Sequence, residues 1–149
     1  FSGNYNLGID YPMAMIDRRD GRYIGGTGLH TRVGEGAFEI GYWIDERFAR
    51  QGFTTHVAAA LTKVAFEYEG VHRMNIHMQV GNIGSERIPV RLGYVREGLM
   101  REFNHLSEGK YADIHRFTML REEYDASDLK SMSLRAYGYD GEELALLPG

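Results

Sequence analysis

The stretch AFEIGYWIDERFARQGFTTHVAAALTKVAFEY, residues 37–68, decides the architecture, because its periodicity changes partway through. Residues 37–44 are dense in aromatic and β-branched side chains and read as a strand. Residues 53–68 carry Val57, Leu61, Val64, Ala65 and Tyr68 at helical spacing, with Thr54 or Thr55 placed to cap the start and Gly70 to end it. The linking segment ERFARQGFTT, residues 46–55, joins a strand to a helix N-terminus through Arg50 and Gly52. Unpaired N–H groups at a helix start, together with the helix dipole, favour an anion such as a phosphate. Gly52 lets the backbone approach closely and Arg50 adds charge.

Before this stretch, PMAMID (12–17) is a short apolar run, and Asp20-Gly21 is a hairpin signal. RYIGGTGLHT (22–31) reads as the partner strand, and residues 33–36 form the next turn into residue 37. An antiparallel meander of three strands is the expectation. Residues 1–11 are aromatic and rich in Gly and Asn, without a clear period. After the long helix, residues 73–80 alternate Met74, Ile76, Met78 and Val80, a strand pattern. Residues 86–92 fit a short helix with Ser85 as N-cap and Gly93 after its end, and 94–103 and 113–120 read as two closing antiparallel strands. The order of three strands, helix, strand, helix and two strands predicts an α/β fold on a mixed, mostly antiparallel sheet of about six strands. Residues 1–120 form the expected core. Residues 121–149, with seven acidic and three basic residues, read as an appendage that docks, dimerises or is partly disordered.

The 149 residues suit one domain, long enough to bury a core. Cysteine is absent, which excludes a disulfide framework and thiolate chemistry by the protein itself. A formal charge of -4 argues against non-specific nucleic-acid binding. No apolar run approaches the roughly 18–20 residues of a membrane span, and a cytoplasmic setting is expected. The chain opens at Phe1 rather than methionine, leaving room for natural sequence upstream. No GxxxxGK[ST] loop occurs. Gly25-Gly26-Thr27-Gly28 sits inside a strand pattern and opens no helix, so a dinucleotide-binding reading fails on context. The histidines lack metal-ligand spacing, and no metal is expected.

Four segments in order resemble the GCN5-related N-acetyltransferase (GNAT) superfamily, in the RimJ/RimL-like branch that acetylates ribosomal-protein N-termini. AFEIGYWID is similar to that family's fourth strand, and RQGFTTHVAAAL to its pyrophosphate loop and following helix. NIGSERIPVRLGYVREG resembles its Asn-x-x-Ser segment with the short helix and Leu-Gly-Phe/Tyr, and EGKYADIHRFTML its Gly-x-Tyr-x-Asp closing strand. The match covers residues 12–120. Ala49 and Thr54 depart from the usual Arg/Gln-x-x-Gly-x-Gly/Ala loop, with Arg50 and Gln51 supplying the polar atoms. Pro89 is unusual in the short helix, where a place near the first turn would limit its cost. The family's N-terminal strand and helix pair, which wall the acceptor site, have no counterpart in this chain.

The resemblance implies a sheet that splays between the strands at 37–44 and 73–80, where the freed backbone receives the pantetheine arm of acetyl-CoA. It implies that the pyrophosphate lies on Arg50, Gln51, Gly52, Phe53, Thr54 and Thr55, and that Asn82 contacts the pantetheine. The implied reaction is direct attack of a neutral amine on the thioester, with Ser85 offering its hydroxyl to both cofactor and leaving thiolate. An α-amine, with a reference pKa of about 7.7–8.0 against about 10.4 for lysine, is partly neutral at physiological pH. His105 takes the position where the branch has a glutamate and is a candidate base, because an imidazole titrates near neutrality. Glu39 on the fourth-strand segment is its rival, while Tyr111 and Asp113 are mainly structural. The expected acceptor is a peptide N-terminus or a small amine, and a homodimer is plausible for the branch. Two other readings remain open: an acyl-CoA-binding regulatory module without turnover, and an interaction protein that kept the fold and lost the cofactor.

Overall fold

In the computed structural model, which describes residues 10–138 and 140–145, the chain turns back at Asp20-Gly21 as predicted. Strand β1 (Asp10–Asp17) pairs antiparallel with β2 (Arg22–His30), and β2 with β3 (Ala37–Ile44). The sequence expectation for residues 1–9 lies outside the described residues. The glycines of β2 serve close packing. A Cβ on Gly26 would lie 2.5 Å from the indole nitrogen of Trp43, its partner on β3.

A 3-10 turn (Glu46–Phe48) leads into helix α1 (Phe53–Glu67). Strand β4 (Arg73–Gln79), helix α2 (Ile83–Arg91) and the hairpin of β5 (Val95–Ser107) and β6 (Lys110–Leu120) follow. Both hairpin strands run further than the alternation predicted, to a turn with Gly109 at φ 67°. The added length escapes a hydropathy reading because β5 is an edge strand, exposed along nearly all of its length and interrupted by bulges.

The six strands form one sheet in the order β1-β2-β3-β4-β6-β5. Every pairing is antiparallel except β3 with β4. That parallel pairing runs only from Ala37 opposite Arg73 to Ile40 opposite Ile76. Beyond it, β2 still holds β3 to Ile44 and β6 still holds β4 to Gln79, so the two strands continue while separating from each other. The expected splay is present.

Because side chains alternate across a sheet, Phe38, Ile40, Met74, Ile76, Met78, Phe117 and Met119 share one face, and this face forms the core with α1. From α1 it receives Ala58, Ala59, Leu61, Ala65 and Phe66. Tyr68, placed on the apolar stripe by its spacing, is instead exposed beyond the helix end. Thr62 takes a fully buried position because its hydroxyl is satisfied by the Ala58 carbonyl and the Tyr94 hydroxyl, each at 2.7 Å.

The second helix corrects three local expectations. It begins at Ile83, and its N-cap is Asn82, whose Oδ1 accepts the Ser85 N–H at 3.2 Å. Ser85 therefore lies inside the first turn and is not the cap. Pro89 sits in the C-terminal half of the helix, not near its start, and leaves the Ser85 carbonyl without its i+4 donor. The Tyr42 hydroxyl takes that place with a long hydrogen bond of 3.4 Å to the Ser85 oxygen. The first helix carries the fourth correction: Gly52 is the N-cap of α1, at φ 87°, and neither Thr54 nor Thr55 caps it.

Past β6, helix α3 (Arg121–Asp125) and a 3-10 turn (Asp128–Ser131) pack on the far side of α1. Tyr124 is fully buried and stacks on Phe66, ring centroids 4.6 Å apart. Lys63 and Glu67, an i,i+4 ion pair of α1, are buried beneath this segment, and Lys63 also donates to the Lys130 carbonyl at 2.6 Å. The Tyr124 hydroxyl also donates to Glu67, on the same oxygen that pairs with Lys63, while the second carboxylate oxygen, Oε2, is buried without a hydrogen-bond partner among the described residues. Truncating Tyr124 to Ala should lower the unfolding free energy by about 3–5 kcal/mol, the usual cost of removing a buried aromatic ring. Urea denaturation followed by fluorescence measures it.

Candidate active site

The chain between β3 and α1 is organised around its own polar groups. Asp45 accepts the backbone N–H of Arg47 at 2.9 Å and pairs with its guanidinium at 2.7 Å. Gln51 donates its side-chain amide to the Arg47 carbonyl at 3.1 Å, which ties down the turn. Arg50 is exposed and adopts a left-handed φ of 61°, a conformation that costs a non-glycine residue about 1–3 kcal/mol and must be held by its surroundings. With Gly52 as N-cap and no side-chain cap, the N–H groups that open α1 are not taken by a local carboxylate or hydroxyl. Arg19, from the β1–β2 turn, stands over the Phe53 ring at 5.6 Å and adds a cation beside the loop.

Where β3 and β4 part, a cleft of about 500 Å³ opens. It is lined from both faces of the sheet, because the missing ladder leaves no wall between them. Tyr42 and Met78 come from the core face, Glu39 and His77 from the opposite face, and Asn82 and Ser85 from the entry of α2. Phe103 and Asn104 contribute from the bulged stretch of β5. Burial pushes the Tyr42 phenol well above its ordinary pKa, so it is a neutral hydroxyl here.

Glu39 is 4% exposed and carries the strongest electrostatics of the cleft. Arg32 grips it in a two-point contact, Nε to Oε2 at 2.8 Å and Nη2 to Oε1 at 2.6 Å. Nδ1 of His77 lies 3.3 Å from Oε2. Burial by itself would raise the carboxyl pKa, but the hydrogen bonds from Arg32 and then His77 outweigh it and hold the group down at about 2. Glu39 is thus an ionised, pinned carboxylate and a weak base.

Of the residues singled out from sequence, the fold brings Glu39, Asn82 and Ser85 to one cleft. The segment from Arg50 to Thr55 forms the separate open helix terminus. His105 lies elsewhere: it is exposed on the β5–β6 hairpin, its ring 5.3 Å from that of Tyr111, and it is not among the cleft residues. The cleft's other polar side chains, Arg32, Tyr42, His77 and Asn104, were not singled out. The only sequence sign for His77 is its alternation with Met74, Ile76 and Met78, which marks it as opposite the core but does not say what it faces. Among the described residues, no group of three His, Cys, Asp or Glu side chains is placed to hold a metal ion. None of their helices is long and apolar enough to cross a membrane.

Comparison with known proteins places this geometry. A profile of the acetyltransferase (GNAT) domain matches residues 2–95. The Bacillus subtilis protein YdaF, provisionally named a ribosomal N-acetyltransferase, is 33% identical over 108 residues, 71% of this chain and 58% of that protein. The ribosomal-protein-serine acetyltransferase of Escherichia coli is 28% identical over 82 residues, 55% of this chain and 45% of that protein. The chain therefore spans about half the length of these curated relatives. A crystal structure of a probable acetyltransferase, 29% identical, superposes with a TM-score of 0.74 over 82% of this chain and 68% of that one.

The pinning of Glu39 has a pH consequence. A carboxylate whose folded pKa is depressed contributes stability that is full above its unfolded value and is lost as pH falls through the folded one. Here that window runs from about 4.5 down to about 2. Glu39→Gln should reduce the fall of Tm across this window relative to the wild type, as measured by thermal denaturation at stepped pH.

Proposed function

The chain belongs to the acetyltransferase (GNAT) domain family, and from that premise we propose that it transfers an acetyl group from acetyl-CoA to an amine. The observation that carries this reading is the four-residue limit on β3–β4 pairing, which turns a sheet interior into a two-sided cleft. Backbone groups facing the gap can pair with an extended amide chain such as the pantetheine arm, in the manner of an added strand. The uncapped start of α1, with Arg50 and Gly52, fits the pyrophosphate, which the resemblance assigned to residues 50–55. In this reading Asn82 shapes the cleft by capping α2, and Ser85 presents its hydroxyl at the cleft wall toward the leaving sulfur. The hydroxyl stabilises a thiolate by hydrogen bonding, for it is a poor acid in water.

The acceptor class we favour is a free protein N-terminus, by analogy with the Escherichia coli relative named for a ribosomal-protein substrate. A small amine is the alternative within the same chemistry. The cytoplasmic setting follows from that substrate class. A non-catalytic acyl-CoA-binding module would keep the open helix start, but it gives no role to the ionised Glu39 and its partners in the cleft.

Isothermal titration with acetyl-CoA tests the binding half of the proposal. Saturable binding is expected, and Arg50→Ala combined with Gln51→Ala should weaken it by roughly tenfold, about 1.4 kcal/mol. Unchanged affinity in the double variant would remove the loop from the cofactor site. A thiol-release assay over peptides with free N-termini and alkyl polyamines then identifies the acceptor class, and absence of turnover with intact binding would favour the regulatory module.

A further inference from the structure

We infer that His77 is the proton acceptor for the attacking amine, and that Glu39, held by Arg32, is the positioning residue that fixes its tautomer. The inference rests on the acetyl-transfer reading above and assigns that site a base that sequence comparison had not singled out.

His77 and Glu39 meet because of strand register. Glu39 is paired with Asn75 across the parallel ladder, and His77, two residues further along β4, lies on the same face just where the ladder ends. The carboxylate is ionised and can only accept, so the ring nitrogen 3.3 Å from it, Nδ1, carries the hydrogen. Nε2 is then the lone-pair nitrogen. That atom is buried and has no hydrogen-bond partner among the described residues. A buried polar atom left unsatisfied costs about 1–3 kcal/mol and calls for a reason. The reason offered is that its partner is the substrate: His77 lines the cleft, and an amine entering there would supply the missing N–H. The Phe103 ring stands 5.8 Å from the imidazole in a T-shaped arrangement and is itself exposed on a bulged strand, at the mouth of the cleft it helps to line.

Charges around the imidazole come from several elements. Glu39 approaches from β3, and Arg32, from the connection after β2, neutralises it. Arg116 stands opposite His77 on β6 and is 3.1 Å from Glu97 of β5. Asp10 of β1 is bonded to His30 at 2.5 Å and adds charge near Arg32. Arg73 of β4 shares Glu97 with Arg116, and Arg32 shares Glu39 with His77, so a proton arriving at Nε2 forms an imidazolium beside a Glu39 carboxylate that also holds Arg32.

In the step, the amine nitrogen forms a bond to the thioester carbonyl carbon, and the proton it sheds goes to Nε2 of His77. As the tetrahedral intermediate collapses, the C–S bond breaks and its electron pair leaves on sulfur. The thiolate is protonated from solvent, and His77 returns its proton to solvent, leaving amide and free thiol. Glu39 keeps its charge throughout. It orients the ring and stabilises the imidazolium, as the carboxylate does in the serine-protease triad.

The test uses the full-length protein as wild type, His77→Gln and Glu39→Gln, each checked for folding by circular dichroism. His77→Gln should lower kcat by about 10²- to 10⁴-fold, the range for a general base, with acetyl-CoA affinity by calorimetry changed less than about twofold. If His77 is the base, kcat/KM of the wild type falls on the acid side, and that limb should be absent from His77→Gln. Glu39→Gln should lower kcat as well and move the ring hydrogen of His77 from Nδ1 to Nε2, because a glutamine amide can donate to Nδ1. Nitrogen-15 NMR of labelled histidine reads that tautomer, and in the wild type it needs no variant to fold. Wild-type Nε2–H, or a His77→Gln enzyme that keeps its rate and its acid limb, would overturn the base assignment while acetyl transfer stands. A wild type that neither binds acetyl-CoA nor acetylates any amine would take down both.

Discussion

The separation of β3 from β4 is the constraint on which the rest of this molecule depends. A parallel pair that stops after Ile40 and Ile76 would ordinarily expose two rows of backbone donors and acceptors. Here each strand is kept extended by its antiparallel neighbour on the other side, so the opening is built into a sheet that is otherwise continuous. The hole joins the two faces. Without it Tyr42 and Glu39, which alternate to opposite sides of β3, would not line the same cleft.

Helix α2 closes one end of that opening, and Pro89 takes part in how it does so. By withholding a donor from the Ser85 carbonyl, the proline leaves an acceptor for the Tyr42 hydroxyl. What appeared as a departure from the family pattern thus links the helix to the strand beside it. Asn82 sets the start of the same helix, which places Ser85 one turn in with its side chain at the cleft. The closing contact of Glu86 with His115 ties the helix to β6. The local chemistry of the Asn-x-x-Ser segment is therefore structural and positional together, with the cap on Asn82.

Charge is managed in two distinct ways. On the outer side of α1, Lys63, Glu67 and Tyr124 form a buried network in which removing one partner strands another, a device that fixes how the C-terminal segment docks. In the cleft, Arg32 reaches from the surface to hold the buried Glu39, and His77 completes the set with one nitrogen left over. The first network has the C-terminal segment as its cover. The second has a cleft in front of it, which is why only the second suits chemistry.

Much of the fold could be read from the chain alone, because periodicity is a local property. The change from strand to helix between residues 37 and 68, the hairpin at Asp20-Gly21 and the alternation at residues 73–80 each follow from side chains a few positions apart. The open helix terminus proposed for the pyrophosphate was legible for the same reason, since Arg50, Gly52 and the start of α1 are contiguous. The cap residues were misplaced by a few positions, because Ser, Thr and Asn are near equals as caps and backbone geometry chooses among them. Burial of Lys63 and Glu67 was not legible, since it depends on a segment some 60 residues later folding back over α1. The meeting of Glu39 with His77 was decided only by register between strands distant in sequence, and His105 falls outside the cleft although its neighbours Phe103 and Asn104 line it. Hydrophobic alternation tells which face a residue takes, but which side chain stands beside it is a property of the assembled sheet.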